Sequence, residues 1–430
     1  VSVGARQIEN ADAALEAAWE RTDRIFAFVA DQALLARPIP LRQPLLFYVG
    51  HLPAFAWNHL GRGALGLPAF APELDTLFEA GIDPPDDAEP PPQDDAALWP
   101  PLERVLAYRD RVRSELRGGI DEPALAELWP MVLEHELMHH ETLMYMLQQL
   151  PAAAKRPPAD LASEMHKPSV PRERVSIPAG PAHLGSGSDE FRWDNERPEH
   201  DVHVEAFAID SLPVTNGEFR EFVAAGCYAD SRLWTPDGWR WLQQTGRAMP
   251  HGWSGAGVAA LFGEVPFDDA ADLPASVTHC EAQAFARSCG ARLPSENEFH
   301  RAAFATRDGG LRLHPWGDAA PAPEHANVGF RRLGPAPVGA RPQGASAFGV
   351  HELVGNGWEW TGTPFRSFPG FRPMDRYRNY STAFFDDRHF VLLGGSWATD
   401  LRLVRRSFRN WFQPHYPYVF TKFRRVYPDR

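Results

Sequence analysis

The order of apolar and polar positions divides this chain near residue 150. Before that point, apolar residues recur at helical spacing in four long segments, 11–30, 43–60, 99–116 and 122–150. The second follows Pro44 and is strongly apolar, the pattern of a helix buried on most sides. Four such segments with short or proline-rich connections predict an antiparallel four-helix bundle over residues 1–150. The Pro- and Asp-rich stretch 83–95 reads as a loop. Residues 151–173 are again rich in proline and predict a linker long enough to wrap across the bundle.

From Val175 the pattern changes. Short strands alternate with Gly, Pro and Asn turns, as in Val175-Ser-Ile-Pro-Ala-Gly, His203-Val-Glu-Ala-Phe-Ala-Ile-Asp and Val391-Leu-Leu-Gly-Gly-Ser-Trp. Two helices are predicted among them, 215–225 with Thr215 as its N-cap and 278–290. Residues 174–430 therefore read as a loop-dense, irregular domain. The fold class is α+β, with the helical bundle first.

Composition supports this division. A chain of 430 residues exceeds what one hydrophobic core usually serves. A net charge of -13 without a basic block argues against nucleic acid or an anionic membrane as partner. No apolar run approaches a membrane span and no signal peptide is visible. Cys227, Cys280 and Cys289 are too few and too irregular for a disulfide framework. The expected location is the cytoplasm and the expected assembly a monomer or homodimer. Cys280 and Cys289 are expected as core residues of the second helix.

The candidate chemistry lies in His135-Glu-Leu-Met-His139-His-Glu141. Four residues apart on a helix, His135 and His139 share one face and form half of a transition-metal site. His51, inside another helix of the same bundle, is the candidate third ligand. A lone histidine on an apolar helix is ordinarily a hydrogen-bonded core residue, and a two-His neighbour changes that balance. Glu141 faces away from the ligand pair and is either a partner orienting an imidazole or a surface carboxylate. His140, also off that face, reads as structural or solvated. The same residues match H-E-x-x-H, in which Glu136 would be the general base of a zinc hydrolase or thiol transferase. A third class stays open, a non-catalytic module whose C-terminal fold captures ligands.

His51 with H-x-x-x-H-x-E resembles the N-terminal DinB-like bundle of the EgtB sulfoxide synthases. The C-terminal half resembles the formylglycine-generating-enzyme fold, which is C-type-lectin-like. The resemblance rests on Ile177-Pro-Ala-Gly, Val214-Thr-Asn-Gly-Glu-Phe, Arg292-Leu-Pro-Ser-Glu-Asn-Glu-Phe, Pro315-Trp-Gly-Asp, Gly355-Asn-Gly-Trp-Glu-Trp-Thr, Gly394-Gly-Ser-Trp and Ser407-Phe-Arg-Asn-Trp. It implies a non-haem Fe(II) held by His51, His135 and His139, and a substrate pocket between the domains. It also implies O2-dependent bonding of a chalcogen to the imidazole carbon of hercynine (trimethylhistidine). Tyr377 would be the catalytic proton donor, Tyr380 would help hold hercynine, and Asn410 and Trp411 would receive its carboxylate and ammonium ends. A Trp face suits a trimethylammonium by cation–π attraction. Formylglycine generation itself is not implied, because Trp397-Ala-Thr-Asp-Leu-Arg carries no cysteine after Gly394-Gly-Ser.

Three departures bear on the chalcogen donor. Relatives that use γ-glutamylcysteine carry an arginine pair in the bundle loop, where this chain has Gly81-Ile-Asp-Pro-Pro-Asp-Asp. They carry Asp after the Asn-Trp and arginines beyond it; here those positions are Phe412 and His415-Tyr416. The hercynine-contacting Gln before the second helical His is Met138. A dicarboxylate dipeptide would find no arginine clamp. Phe412, Tyr416 and Tyr418 resemble a carbohydrate-stacking rim. The favoured expectation is therefore a selenoneine synthase of the SenA branch, with a selenosugar donor. The alternative is an ergothioneine sulfoxide synthase that uses cysteine as its thiol.

Overall fold

The structure is a computed structural model that describes residues 11–79, 99–117, 125–159 and 170–428. The chain divides into two compact units, Val1–Asp160 and Leu161–Arg430. It is α+β: among the described residues the first unit has helices and one isolated bridge, Val29 with Lys155, and the second has short sheets with helices. Among the described residues, no helix is long and apolar enough to cross a membrane.

The N-terminal unit contains α1 (Ala11–Ala27), α2 (Leu45–Ala56), α3 (Pro72–Leu77), α4 (Leu102–Leu116) and α5 (Trp129–Gln149). α1 packs on α5, and α2 packs on both α4 and α5. Proline marks the starts of α2, α4 and α5, where its fixed φ suits the first turn and its missing N–H costs nothing. All twelve residues of α2 are buried, so this helix is the centre of the bundle. The helical path outruns the predicted end at residue 60, continuing as a π-helix over Trp57–Ala64. Gly61 permits this, because a Cβ there would sit 2.3 Å from the buried Trp57 ring. α3 escaped the sequence reading because six residues are too few to show a period. The 83–95 loop lies outside the described residues, as does the predicted start of the last helix at 122. The first part of the linker folds back on the bundle: Ala30 N–H donates to Ala154 O at 2.9 Å and Arg156 N–H to Phe28 O at 2.7 Å.

The C-terminal unit has eleven described strands. They are β1 (Arg174–Ile177), β2 (Gly180–Leu184), β3 (His200–Val204), β4 (Phe207–Asp210), β5 (Gly257–Ala260), β6 (Gly263–Pro266), β7 (Trp358–Pro364), β8 (Phe390–Leu393), β9 (Asn410–Phe412), β10 (Thr421–Lys422) and β11 (Val426–Pro428). The sheet orders are β1-β4-β11, β10-β7-β8-β9, β2-β3 and β5-β6, with β10 and β7 the only parallel pair among them. The run from His203 to Asp210, expected as one strand, belongs to two. β3 pairs with β2 and β4 with β1 and β11, so the chain changes sheets at Glu205-Ala206. The helices are α6 (Asn216–Ala224), α7 (Pro236–Thr245), α8 (Phe267–Ala270), α9 (His279–Ser288), α10 (Glu296–Phe304) and α11 (Asn379–Thr382). Thr215 caps α6 as expected, accepting from Glu218 N–H at 3.3 Å. α7, α8, α10 and α11 were not foreseen, although Ser295-Glu-Asn-Glu298 forms a capping box at the start of α10. All three cysteines are free. Cys280 is buried, but Cys289 lies just past the end of α9 and is exposed, contrary to expectation.

Little of this unit is regular sheet, and buried ion pairs hold its loops together. Glu359 on β7, Lys422 on β10 and Arg424 are all fully buried. Arg424 donates to both Glu359 oxygens, one at 3.0 Å. Lys422 Nζ lies 3.7 Å from Glu359 and donates to the carbonyls of Gly355, at 2.9 Å, and Gly357. The group ties the Gly355-Asn-Gly turn to the sheet whose edge is β9. Glu359→Gln leaves two buried cations without their carboxylate. It should destabilise the protein by about 3–5 kcal/mol, read as a lower urea midpoint for the C-terminal unit.

Candidate metal centre and tyrosine segment

In the N-terminal unit, α2 and α5 bring three histidines together. His51, His135 and His139 are all buried, and one ring nitrogen from each lies within 4.8 Å of the others. Their ring centroids are 5.1, 5.1 and 4.5 Å apart. The four-residue spacing on α5 places two rings on one face. The burial of α2 on every side then leaves His51 no direction to point in but inward.

The ring nitrogens show what the group is fit to hold. His51 Nδ1 lies 2.7 Å from Phe78 O, a bond it can make only as donor, which leaves Nε2 with its lone pair. His51 Nε2, His135 Nε2 and His139 Nδ1 are buried with no hydrogen-bond partner among the described residues. Buried polar atoms are nearly always satisfied, so three imidazoles with unpartnered nitrogens, and with one ring nitrogen each within 4.8 Å of the others, fit a metal ion. Burial holds all three imidazoles neutral. It lowers His51 to about 4 and takes His135 and His139 well below the ordinary range, the neighbouring histidines adding to the effect.

The surroundings fix ring orientation. Phe55 stacks on His135 with centroids 3.6 Å apart, and Phe47 stacks on His51 at 4.9 Å. Phe78 reaches His51 because residue 50 is glycine: a Cβ there would meet the Phe78 ring at 2.4 Å. Neither Phe55 nor Phe78 was singled out from the sequence. A hydrophobic stripe with a nearby loop carbonyl gives no pattern to find.

Glu136 belongs to a different seam. Thr22 on α1 donates to its Oε1 at 2.6 Å, and the same hydroxyl lies 2.8 Å from His140 Nε2. Burial pushes the Glu136 carboxyl up to about 7. A carboxylate committed to α1 cannot serve as general base at the triad, so the H-E-x-x-H hydrolase reading loses its catalytic group. His140 is fully buried and therefore not solvated, and Glu141 is buried and therefore not a surface carboxylate. Met138 is half-buried on α5, one turn from His135.

In the C-terminal unit, Tyr377 and Tyr380 lie with ring centroids 5.7 Å apart. The Tyr380 ring stacks on Trp193 at 4.0 Å and meets Trp411 edge-on at 5.4 Å. Asn410 and Trp411 sit on β9, paired with β8 at Val391↔Trp411. One Trp411 face is taken by Phe365, parallel at 4.3 Å, so any cation must use the other. Asn410 Oδ1 accepts from Trp411 N–H at 2.9 Å. Strand alternation sends Phe412 to the opposite side of β9 from Trp411. There it stacks on Tyr416 at 5.2 Å, with Tyr418 edge-on to Tyr416 at 5.0 Å. The structure therefore gathers Tyr377, Tyr380 and Trp411 into one cluster and sets Phe412, Tyr416 and Tyr418 in another. Tyr416 is buried, and Phe412 covers one of its faces.

A helical bundle enclosing three neutral histidines, joined to a loop-rich α+β unit with a tyrosine segment, defines a two-domain enzyme class. Residues 14–143 match the DinB superfamily, and residues 159–427 match the sulfatase-modifying factor enzyme 1-like domain. The chain is 37% identical to the hercynine oxygenase of Mycolicibacterium smegmatis, over 95% of this chain and 96% of that one. It is 38% identical to the hercynine oxygenase of Mycolicibacterium thermoresistibile, over 93% and 91%. Ergothioneine biosynthesis protein 1 of Neurospora crassa is 30% identical over 95% of this chain and 56% of its own length. The chain belongs to the hercynine oxygenase family. Gly50→Ala should displace Phe78 and release His51 Nδ1, weakening metal binding about tenfold, as measured by anaerobic metal titration.

Proposed function

We propose that this protein catalyses the O2-dependent formation of a carbon–chalcogen bond on the imidazole of hercynine. The observation that carries the reading is the set of three buried, unpartnered ring nitrogens, in a chain closely related along its length to two hercynine oxygenases. His51, His135 and His139 are the residues that would hold Fe(II). Bound ferrous iron supplies O2 activation and the oxidation that joins chalcogen to carbon. Three neutral ligands leave the ion its full positive charge and leave coordination positions for small molecules.

The chain's own residues do the rest. Phe78 O and the Phe47 and Phe55 rings hold the ligand imidazoles in one orientation. Tyr377 is the proposed proton donor, its phenol being weakly acidic. Tyr380, Asn410 and Trp411 are proposed to bind hercynine, the Trp411 face opposite Phe365 receiving the trimethylammonium. Met138 presents a thioether where an amide would otherwise make a polar contact.

The favoured donor is a selenosugar, making the product selenoneine. Its support is the replacement of charged positions by Phe412 and by His415-Tyr416; of the aromatic cluster there, Phe412 and Tyr418 are the partly exposed rings, Tyr416 being buried behind Phe412. The second reading is ergothioneine synthesis with cysteine as thiol; the names of the relatives support ergothioneine synthesis and name no thiol.

The test is anaerobic Fe(II) loading followed by hercynine and O2 with selenosugar, cysteine or γ-glutamylcysteine in parallel. The expected outcome is a selenium adduct of hercynine by mass, iron at one per chain, and loss of both iron and product in His51→Ala and His135→Ala. A product from cysteine alone would replace the first donor with the second. No product from any donor would remove the proposal.

A further inference from the structure

The turn from Trp193 to Glu196 contains none of the residues assigned a role above, yet it touches both segments proposed to handle hercynine. On one side it holds the tyrosine segment. Ser381 Oγ donates to Asp194 Oδ1, Asn195 Nδ2 donates to Ser381 Oγ at 3.0 Å, and Met374 N–H donates to Asp194 Oδ2 at 3.4 Å. Trp193, fully buried, stacks on Tyr380 with the planes 21° apart. On the other side it holds the residues that lead into β9. Ser407 Oγ donates to Glu196 Oε2 at 2.6 Å, and Arg409 Nη1 donates to Asn195 O at 3.1 Å.

Every group in this arrangement is sequestered from water. Asp194, Asn195, Glu196, Ser381, Ser407 and Arg409 are all buried. Each hydroxyl therefore has its carboxylate partner in the turn, and its removal takes one donor from a buried acceptor, leaving Glu196 Oε2 with Arg405 Nε at 2.8 Å in the case of Ser407. The turn is itself braced. Glu196 accepts from Trp193 N–H at 3.0 Å and is gripped by Arg405, while Arg409 is paired with the buried Glu296 of α10. The tyrosine segment and β9 lie about thirty residues apart in sequence, and no backbone pairing joins α11 to β9. The shared turn thus fixes both segments to one rigid piece.

We infer that Trp193–Glu196 is a positioning hub that sets the Tyr377–Tyr380 pair relative to Asn410–Trp411. Its residues act through those groups and are not catalytic. The inference deepens the proposed function and rests on it, since it takes Tyr377 as proton donor and Asn410–Trp411 as part of the hercynine site. The two arms of the hub are separable. The Asp194–Ser381 arm governs proton delivery by Tyr377 and the Tyr380 share of substrate binding, and the Glu196–Ser407 arm governs substrate binding at Asn410–Trp411.

The experiment deletes one oxygen from each arm in the iron-loaded full chain. Ser381→Ala should lower product formed per O2 consumed about tenfold, with a smaller rise in KM for hercynine, about threefold, through Tyr380. Ser407→Ala should raise KM for hercynine about tenfold and leave product per O2 near the parent value. A purely structural role would lower kcat and the melting temperature in both alanine variants without splitting KM from coupling, and that result overturns the inference. So does parent-like behaviour in both. Amide exchange separates this failure from failure of the functional reading. If the parent forms no carbon–chalcogen product, the proposed function falls, and the hub is judged on protection alone. Ser381→Ala must then deprotect residues 374–384 and not 405–412, and Ser407→Ala the reverse; equal or absent deprotection removes the hub.

Discussion

Three buried imidazoles converge inside the bundle, each with a ring nitrogen that has no hydrogen-bond partner among the described residues, and much of the N-terminal unit follows from that constraint. Such an arrangement is unfavourable without an ion, because each lone pair is desolvated and unmatched. It persists only where the scaffold leaves no alternative. α2 is buried all round, α5 fixes two rings by its pitch, and the Phe78 carbonyl takes the one His51 nitrogen that could have turned away. The aromatic stacks at Phe47 and Phe55 then block rotation of two of the rings. The acidic residue inside the same helix is excluded by equally local means, since a threonine on α1 engages it on another side of α5.

The C-terminal unit solves a different problem, that of holding long loops in place with very little sheet. Its answer is a set of buried carboxylates, each gripped by an arginine: Glu359 with Arg424, Glu196 with Arg405 and Glu296 with Arg409. Such pairs add little net stability over apolar packing, but they are directional, so they specify which loop lies against which. Two of the three lie next to the segments that carry the aromatic residues of interest.

The convergence of the three histidines was legible in the sequence because its signal is local and periodic. His135 and His139 needed only helical spacing, and His51 needed only an apolar helix to stand out against. The family was legible because many short motifs occurred in one order. What was not legible depends on contacts distant in sequence. Ser381 and Asp194 meet across 187 residues, and nothing near either announces the other. The alternation on β9 that separates Trp411 from Phe412 required knowing that three residues there form a strand. The break between β3 and β4 was hidden because strands of two sheets follow one another with a gap of only two residues. Cys289 shows the same limit at a helix end, where one residue past the last turn changes a core position into an exposed one.

The complete enclosure of α2 has a thermodynamic corollary. A helix apolar on every side gains nothing by forming alone in water, so it takes shape only as the bundle closes around it. His51 therefore reaches the other two histidines in the same event that completes the fold. Any ion these histidines bind acts on the folding equilibrium itself by mass action, contributing RT ln(1 + [M]/Kd) to the folded state. Binding of an ion there would make the free metal concentration and the lifetime of the N-terminal unit one coupled variable.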